Sequence, residues 1–256
     1  MASKGTAIVT GAARGIGQAI ALRLADDGFD VAVNDIANNE EALYEVVEEI
    51  QAKGKASSAH VADVTSEDQV CGMIEQVVDT YGHLEVMVAN AGIGGSIPIG
   101  EMTSAKWDHV MDVNAKGTFL CYKYAGMQMI KQGNGGRMIG ASSAIGKRGE
   151  PFNFAYTASK FAIRGLTQAA AIEFGPHSIT VNAYAPGPID TPMFTAVTPP
   201  YDISRQDMID DFKKKIPLGR IGIPADIASL VSFIASKESQ FITGQSISIN
   251  GGIFFD

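Results

Sequence analysis

Tyr156 and Lys160 are the two residues of this sequence whose types and spacing best suit proton chemistry. Because a helix brings residues four positions apart onto one face, their side chains would be neighbours there. The apolar residues that follow Lys160 recur at helical spacing. A free phenol titrates at about pH 10, and a nearby ammonium favours its ionised form. The pair therefore predicts a tyrosine that can exchange a proton with a substrate.

Ser143 is a third candidate, thirteen residues before Tyr156, at the end of an apolar run and ahead of a glycine-bearing loop. Taken alone, a tyrosine four residues before a lysine is more often a half-buried aromatic beside a solvated cation. The elements that would carry these side chains, and the other motifs of the chain, therefore decide the interpretation.

Composition restricts the function classes. The chain has 256 residues, of which 46% are hydrophobic and 19% are charged, which is typical of one globular domain. A net charge of −8 without a basic block disfavours a nucleic-acid partner. The distant Cys71 and Cys121 and the scattered histidines predict neither a disulfide framework nor a metal site. No apolar run is long enough to span a membrane, and a strand follows Met1 too closely for a signal peptide, so we expect a cytoplasmic protein.

The first 35 residues predict a unit of strand, helix and strand, with strands at 6–10 and 31–35. Gly11, Gly15 and Gly17 lie where the first strand turns into the helix. Glycines at such a turn let backbone N–H groups approach a pyrophosphate at the helix N-terminus. The spacing is GxxxGxG, so an ordinary tight turn is the alternative. The position of the loop between strand and helix, with Asp35 ending the next strand, favours a dinucleotide site.

The rest of the chain continues the alternation of helices and strands. Further helices are predicted at 39–53, from a capping box at Ser66 and Gln69, at 104–131 as one long or two abutting helices, around Tyr156, at 205–214 and at 225–236. Further strands are predicted at 59–62, 84–89, 137–141, 179–184 and 246–250. This order predicts an α/β fold, a doubly wound parallel sheet with helices on both faces, and one domain over residues 1–256.

Two further features point to a ligand site. The strand at 84–89 ends in Asn90-Ala91-Gly92, and ligands of open parallel sheets bind at the carboxyl ends of the strands. Residues 192–217 lack a regular pattern apart from the short helix. Long excursions in compact domains are usually functional, so we expect residues 188–217 to form a lid.

Six motifs together resemble the short-chain dehydrogenase/reductase family in order and spacing along the whole chain. They are Thr10-Gly11-x-x-x-Gly15-x-Gly17, Asn90-Ala91-Gly92, Asn114, Ser143, Tyr156-x-x-x-Lys160 and Pro186-Gly187. The resemblance implies a Rossmann-like fold that assembles as a homodimer or homotetramer. It implies that Tyr156 is the catalytic acid and base and that Ser143, rather than Ser142, binds the substrate oxygen. It implies that Lys160 holds the nicotinamide ribose and lowers the pKa of the tyrosine, and that Asn114 anchors a water in a proton relay.

The resemblance also implies which residues form the dinucleotide side and the substrate side of the site, and it implies that the reaction needs no metal. The dinucleotide side is expected to comprise Gly11, Arg14, Gly15, Ile16, Gly17, Asp35, Asp63, Val64, Asn90, Ala91, Gly92, Tyr156, Lys160, Pro186, Gly187, Ile189 and Thr191. The substrate side is expected to comprise Ser143, Ile145, Glu150, Tyr156, Met193 and Phe194.

Asp35 and Arg14 bear on the choice of dinucleotide. Asp35 lies 24 residues after Gly11, where the fold places an acid against the adenosine ribose. A carboxylate there accepts hydrogen bonds from the ribose hydroxyls and repels a 2′-phosphate. Arg14 could instead bind that phosphate. We predict NAD because Asp35 lies directly at the ribose, with NADP left open by Arg14.

Within the family, three stretches are similar to the acetoin (diacetyl) reductase and 2,3-butanediol dehydrogenase group. They are residues 160–168, residues 191–194, and Thr243-Gly244-Gln245 leading to Asn250-Gly251-Gly252. The leading interpretation is therefore an NAD-dependent enzyme that interconverts a small hydroxyketone or diketone and its alcohol. A polyol or ketose, a 3-oxoacyl thioester and a bulkier ketone are alternative substrates. A non-catalytic protein that senses the cofactor is the alternative of a different class.

Overall fold

Seven parallel strands form the sheet in the computed structural model, which describes residues 3–196 and 204–255. They are β1 (Thr6–Thr10), β2 (Asp30–Asp35), β3 (Ser57–Val61), β4 (Val86–Ala89), β5 (Gly136–Ala141), β6 (Ile179–Pro186) and β7 (Ser246–Ile249). Their order across the sheet is β3-β2-β1-β4-β5-β6-β7. The direction of winding reverses between β1 and β4, which is where such sheets bind ligands.

Helices cover both faces of this sheet. They are α1 (Gly15–Asp27), α2 (Glu40–Ala52), α3 (Glu67–Tyr81), α4 (Ser104–Met111), α5 (Gly117–Gln132), α6 (Phe154–Phe174), α7 (Pro192–Ala196), α8 (Arg205–Lys215) and α9 (Pro224–Ala235). The apolar faces of α1, α2 and α9 enclose one core, and those of α3, α5 and α6 enclose a second core on the opposite face.

The strands supply both cores because successive side chains point to opposite faces. In β1, Ala7 and Val9 belong to the first core, and Ile8 between them belongs to the second. All three side chains are fully buried. Strands that are covered on both faces have continuous apolar sequences, which is why β1 was recognisable. The predicted α/β class and the doubly wound parallel sheet are confirmed.

Most predicted boundaries agree with the structure to within two residues, but some details differ. Ser66 precedes α3, yet its hydroxyl caps nothing, because the Gln69 side chain instead accepts the Asp63 N–H at 2.8 Å. The helical stretch at 104–131 consists of α4 and α5, joined by a π-helical turn at Asp112–Lys116. Residues 192–196, predicted to be irregular, form α7. Residues 197–203 of the predicted lid lie outside the described residues.

Four loops open at the carboxyl edge of the sheet, after β1, β4, β5 and β6. They bring together the glycine loop, the Asn90 turn, Ser143 and the Pro186-Gly187 turn. Among the helices that the structure describes, none is both long enough and apolar enough to cross a bilayer.

Candidate active site

The glycine loop after β1 leaves an open space beside its backbone that larger side chains would fill. Gly11 has a φ of +63°, which favours glycine, and a Cβ there would lie 2.9 Å from the Ala91 Cα. A Cβ on Gly17 would lie 2.1 Å from the Gly11 carbonyl oxygen. Both positions therefore require glycine for the loop to pass close to α1 and β4. The open backbone at the start of α1 fits the pyrophosphate of a dinucleotide.

Asn90 fixes the glycine loop to the neighbouring strands. Its side-chain nitrogen, Nδ2, donates to the Thr10 carbonyl at 2.8 Å and to the Gly11 carbonyl at 3.1 Å. Its side-chain oxygen accepts the Tyr184 hydroxyl at 2.7 Å. The carboxamide thus contacts β1 and β6, and its main contribution to the site is to hold the wall in place.

Asp35 lies at the other end of this half of the site. One carboxylate oxygen accepts the Ala13 N–H at 3.1 Å, and the other accepts the Ile36 N–H at 2.9 Å and the Asn39 amide at 2.8 Å. These bonds hold the carboxylate at the end of β2, facing the cavity. The Arg14 side chain is exposed and forms no ion pair with any residue that the structure describes. Asp35 is therefore fixed, and Arg14 is a long side chain without a local partner.

Tyr156 and Ser143 meet at the centre of the site. Both are buried, and the Ser143 hydroxyl acts on the Tyr156 phenol to lower its pKa. The Ser143 hydroxyl oxygen also accepts the Ile145 N–H at 3.2 Å, which orients it. The Ser142 hydroxyl instead donates to the Lys160 carbonyl at 3.1 Å. Of the two neighbouring serines, Ser143 is therefore the one whose hydroxyl can act on the tyrosine.

Lys160 is buried beside this pair, with its ammonium 5.4 Å from the centroid of the Tyr156 ring. It donates to the Ala141 carbonyl at 2.7 Å, and burial lowers its pKa to about 8. Burial raises the pKa of Tyr156 to about 12, although the neighbouring Ser143 hydroxyl acts in the opposite direction. The net lowering of the Tyr156 pKa that we predicted is therefore wrong for this structure. Desolvation of the phenolate outweighs the neighbouring groups.

Asn114 lies in the π-helical turn at Asp112–Lys116 and is fully buried. Its side-chain oxygen accepts the Ile93 N–H at 2.8 Å, and its nitrogen donates to the Ile93 carbonyl and to the Ser159 hydroxyl, both at 2.9 Å. Its own carbonyl accepts the Thr118 hydroxyl at 2.7 Å. Asn114 thereby joins the loop after β4 to α6, from behind the wall of the site.

One cavity of about 1140 Å³ is lined by every residue that we predicted for the dinucleotide and substrate sides. Asn114 is the one predicted catalytic residue that does not line it. Several side chains of the wall were not among the predicted site residues, among them Ile93, His109, Arg148, Phe152, Tyr184, Phe212 and Ile253. The position of Arg148 and Phe152 between Ser143 and Tyr156 was a usable signal. Ile253 reaches the cavity from the end of the chain, and no local pattern marks it.

The substrate side is closed by α7 and α8. Phe194 is buried, and its ring meets that of Phe212 edge to face at a centroid distance of 5.7 Å. Arg205 forms an ion pair with Asp190 and lies over the Phe194 ring at 5.8 Å. These contacts attach α8 to the segment that follows β6.

Comparisons with known proteins agree with this geometry. A family model described as enoyl-(acyl carrier protein) reductase matches residues 11–253. A short-chain dehydrogenase/reductase from Armillaria gallica is 52% identical, over 98% of this chain and 96% of the relative. This chain belongs to the short-chain dehydrogenase/reductase family. It is an oxidoreductase that acts on CH–OH groups with NAD or NADP, as its family does.

Other short-chain dehydrogenases/reductases similar to this chain carry more specific names. A 3-oxoacyl-[acyl-carrier-protein] reductase from Staphylococcus aureus is 44% identical, over 97% of this chain and 98% of the relative. The crystal structure of an acetoin dehydrogenase from Enterobacter cloacae superposes with a TM-score of 0.87 at 35% identity, covering 99% of this chain and 96% of the other. The family is thus established, and these relatives name two different substrate classes.

Proposed function

We propose that this enzyme interconverts a small secondary alcohol and a ketone, with Tyr156 as the acid and base. The observation that carries the proposal is that the buried side chains of Ser143 and Tyr156 line one cavity with the glycine loop, beside the Lys160 ammonium. A tyrosine, a hydroxyl and a cation in this arrangement suit proton transfer to a carbonyl oxygen.

The reaction divides into a hydride and a proton. The bound dinucleotide supplies the hydride to the carbonyl carbon in reduction and takes it back in oxidation. Tyr156 donates its phenolic proton to the carbonyl oxygen, and a pKa of about 12 keeps that proton available at neutral pH. Ser143 stabilises the same oxygen with a second hydrogen bond, since the Ile145 N–H fixes the orientation of its hydroxyl. The Lys160 ammonium stabilises the phenolate that remains.

Asn114 contributes to the reaction by holding other groups of the site in position. Its bonds to Ile93 and Ser159 hold the loop after β4 against α6, the helix that carries Tyr156 and Lys160. We propose that this contact keeps the main-chain groups near Asn114 in place for the water of a proton relay. A loss of this clamp would move the catalytic pair relative to the cavity wall.

A small hydroxyketone or diketone such as acetoin or diacetyl is the proposed substrate. Support comes from the apolar side chains of Ile145, Met193 and Phe194 on the cavity wall and from the likeness to acetoin dehydrogenases. The second candidate is a 3-oxoacyl thioester, which the 44% identity to the Staphylococcus aureus reductase favours. The proton chemistry at Tyr156 would be the same for both.

NAD is the proposed dinucleotide. The Asp35 carboxylate is held at the end of β2 by three hydrogen bonds, so it cannot easily move away from a 2′-phosphate. At a separation of about 4 Å and an effective dielectric near 20, a pair of like unit charges costs roughly 4 kcal/mol. Arg14 would have to offset that cost for NADP to be used well.

Three further features of the proposal concern the whole molecule. Residues 188–196 and 204–217 would close over the bound dinucleotide, because α7 and α8 already line the cavity through Phe194, Met208 and Phe212. A homodimer or homotetramer would cover the exposed apolar side chains on α5 and α6, which include Met127 and Ile172. A cytoplasmic location suits the two free cysteines.

A panel assay tests the proposal. Oxidation of NADH and of NADPH is followed at the absorbance band of the reduced nicotinamide, with diacetyl, acetoin, a ketose and an acetoacetyl thioester. We expect turnover with NADH and a small diketone. Turnover of the thioester alone would replace the substrate assignment. Binding of the dinucleotide without turnover of any ketone in the panel would favour a sensor and contradict the reaction proposed here.

A further inference from the structure

Arg148 is a charged side chain of the cavity wall that the reaction described above does not use. It lies in the loop between Ser143 and Tyr156 and lines the same cavity as both. Its Nε is buried and has no hydrogen-bond partner among the residues that the structure describes. Within residues 3–196 and 204–255, no carboxylate forms an ion pair with its guanidinium. The guanidinium donates to no residue that the structure describes, so a ligand in the cavity can supply an acceptor for its terminal N–H groups.

The other cations of the cavity are accounted for. The Lys160 ammonium is bonded to the Ala141 carbonyl at 2.7 Å. Lys215 forms an ion pair with Asp211 at 2.6 Å. Arg14 lies in the glycine loop, on the dinucleotide side. Arg148 is therefore the substrate-side cation whose charge no described carboxylate balances.

The Arg148 guanidinium is held in position. Its central carbon lies 5.3 Å from the centroid of the Phe254 ring. The Phe254 carbonyl accepts the Asn250 side-chain amide at 2.8 Å, which ties the end of the chain to β7. Stacking on a ring occupies the face of a guanidinium and leaves the N–H groups in its plane free to donate. This arrangement suits a planar, bidentate acceptor such as a carboxylate.

Glu150 lies on the same wall, and its negative charge makes the preference for an anionic or a neutral substrate testable. It lines the cavity two residues after Arg148, and no ion pair joins the two side chains. A substrate carboxylate that binds Arg148 would be repelled by Glu150. Removal of either charge should therefore shift the preference for an anionic substrate, in opposite directions.

We propose that Arg148 selects ketones that carry a carboxylate, by donating hydrogen bonds to it while Ser143 and Tyr156 hold the carbonyl oxygen. This inference rests on the proposed reaction at Tyr156 but not on acetoin as the substrate. It extends the proposed substrates from neutral hydroxyketones and diketones to small oxo acids and their hydroxy acids. The distance from the ketone to the carboxylate is set by the loop between Ser143 and Arg148.

The test is a length series of matched acids and esters. The substrates are 3-oxobutanoate, 4-oxopentanoate and 5-oxohexanoate and their methyl esters, reduced with NADH, and the readout is the ratio of kcat/KM for acid over ester. We expect the native protein to favour the acid at one chain length or more. Arg148→Leu should lower that ratio about 10-fold to 100-fold, as expected for loss of a hydrogen bond to a charged group. Arg148→Lys should keep part of it.

Two control variants separate a local from a general charge effect. Glu150→Gln should raise the acid-over-ester ratio. Arg23→Leu removes the same charge from an exposed pair with Asp27 on α1, outside the cavity, and should leave the ratio unchanged. If the esters are turned over but Arg148→Leu leaves the acid-over-ester ratio unchanged at every chain length, this inference alone is overturned. No turnover of any acid or ester, or of any ketone in the panel, would overturn the proposed function as well.

Discussion

The dinucleotide half and the substrate half of the cavity are built by different means. In the dinucleotide half, close backbone contacts and side-chain hydrogen bonds fix almost every group: a Cβ on Gly17 would lie 2.1 Å from a carbonyl oxygen, and three donors hold Asp35. Beside the substrate half, a Cβ on the exposed Gly149, between Arg148 and Glu150, would meet nothing within 4 Å, and the guanidinium of Arg148 donates to no residue in the described part of the chain. The first half depends on backbone geometry, and the second depends on which side chains it presents.

Lys160→Ala should have the largest effect, because Lys160 lies where the halves meet. Loss of the ammonium should lower turnover at least ~100-fold, because a small misplacement of the reacting groups in an active site has an effect of that size. It should also weaken dinucleotide binding. Its pKa of about 8 means that the ammonium is lost as the pH rises above 8. Ketone reduction by the native protein should therefore decline above that pH. A pH profile of the variant that shows the same decline would contradict this role.

Gly17→Ala and Gly149→Ala compare the glycine loop with the exposed loop that carries Arg148 and Glu150. The first places a methyl group against the Gly11 carbonyl, and overpacking of about 1–3 kcal/mol corresponds to a loss of ~5-fold to 150-fold in dinucleotide affinity. The second adds a methyl group in open space and should leave that affinity unchanged. Titration of NADH fluorescence measures both. Equal effects of the two substitutions would remove the distinction between the halves.

Asp35→Ala tests the choice of dinucleotide. The native protein should prefer NADH to NADPH by at least about tenfold in kcat/KM, because the fixed carboxylate repels a 2′-phosphate. The variant should narrow or reverse that ratio, and Arg14→Ala in the same background should restore part of the NADH preference. Equal use of the two dinucleotides by the native protein would show that Arg14 dominates.

Phe194→Ala should have the smallest effect, because it removes one side chain from the substrate half. An edge-to-face pair contributes roughly 0.5–1.5 kcal/mol, so KM for the ketone should rise ~2-fold to 10-fold with little change in dinucleotide affinity. Phe241→Ala is the matched control, since Phe241 is fully exposed and lies outside the cavity. A larger change in dinucleotide affinity than in KM would place Phe194 in the other half.

The same contrast explains what the sequence could predict. Strand β1 and its glycine loop were recognisable because burial on both faces and a close backbone approach each demand particular residue types. Arg148 and Ile253 were missed because their place on the wall depends on how the loop after Ser143 and the end of the chain pack in space. The pKa of Tyr156 was misjudged for a related reason. Its spacing to Lys160 shows a neighbour, whereas the depth of burial follows only from the folded protein.

The most direct test of the account is the turnover of Tyr156→Phe, measured beside its affinity for NADH. The substitution keeps the ring and removes the proposed proton donor. General acid catalysis contributes about 10²-fold to 10⁴-fold, so turnover should fall by at least ~100-fold while the dissociation constant for NADH stays within about twofold of the native value. Near-native turnover of Tyr156→Phe with a small diketone would contradict the central role assigned to this tyrosine.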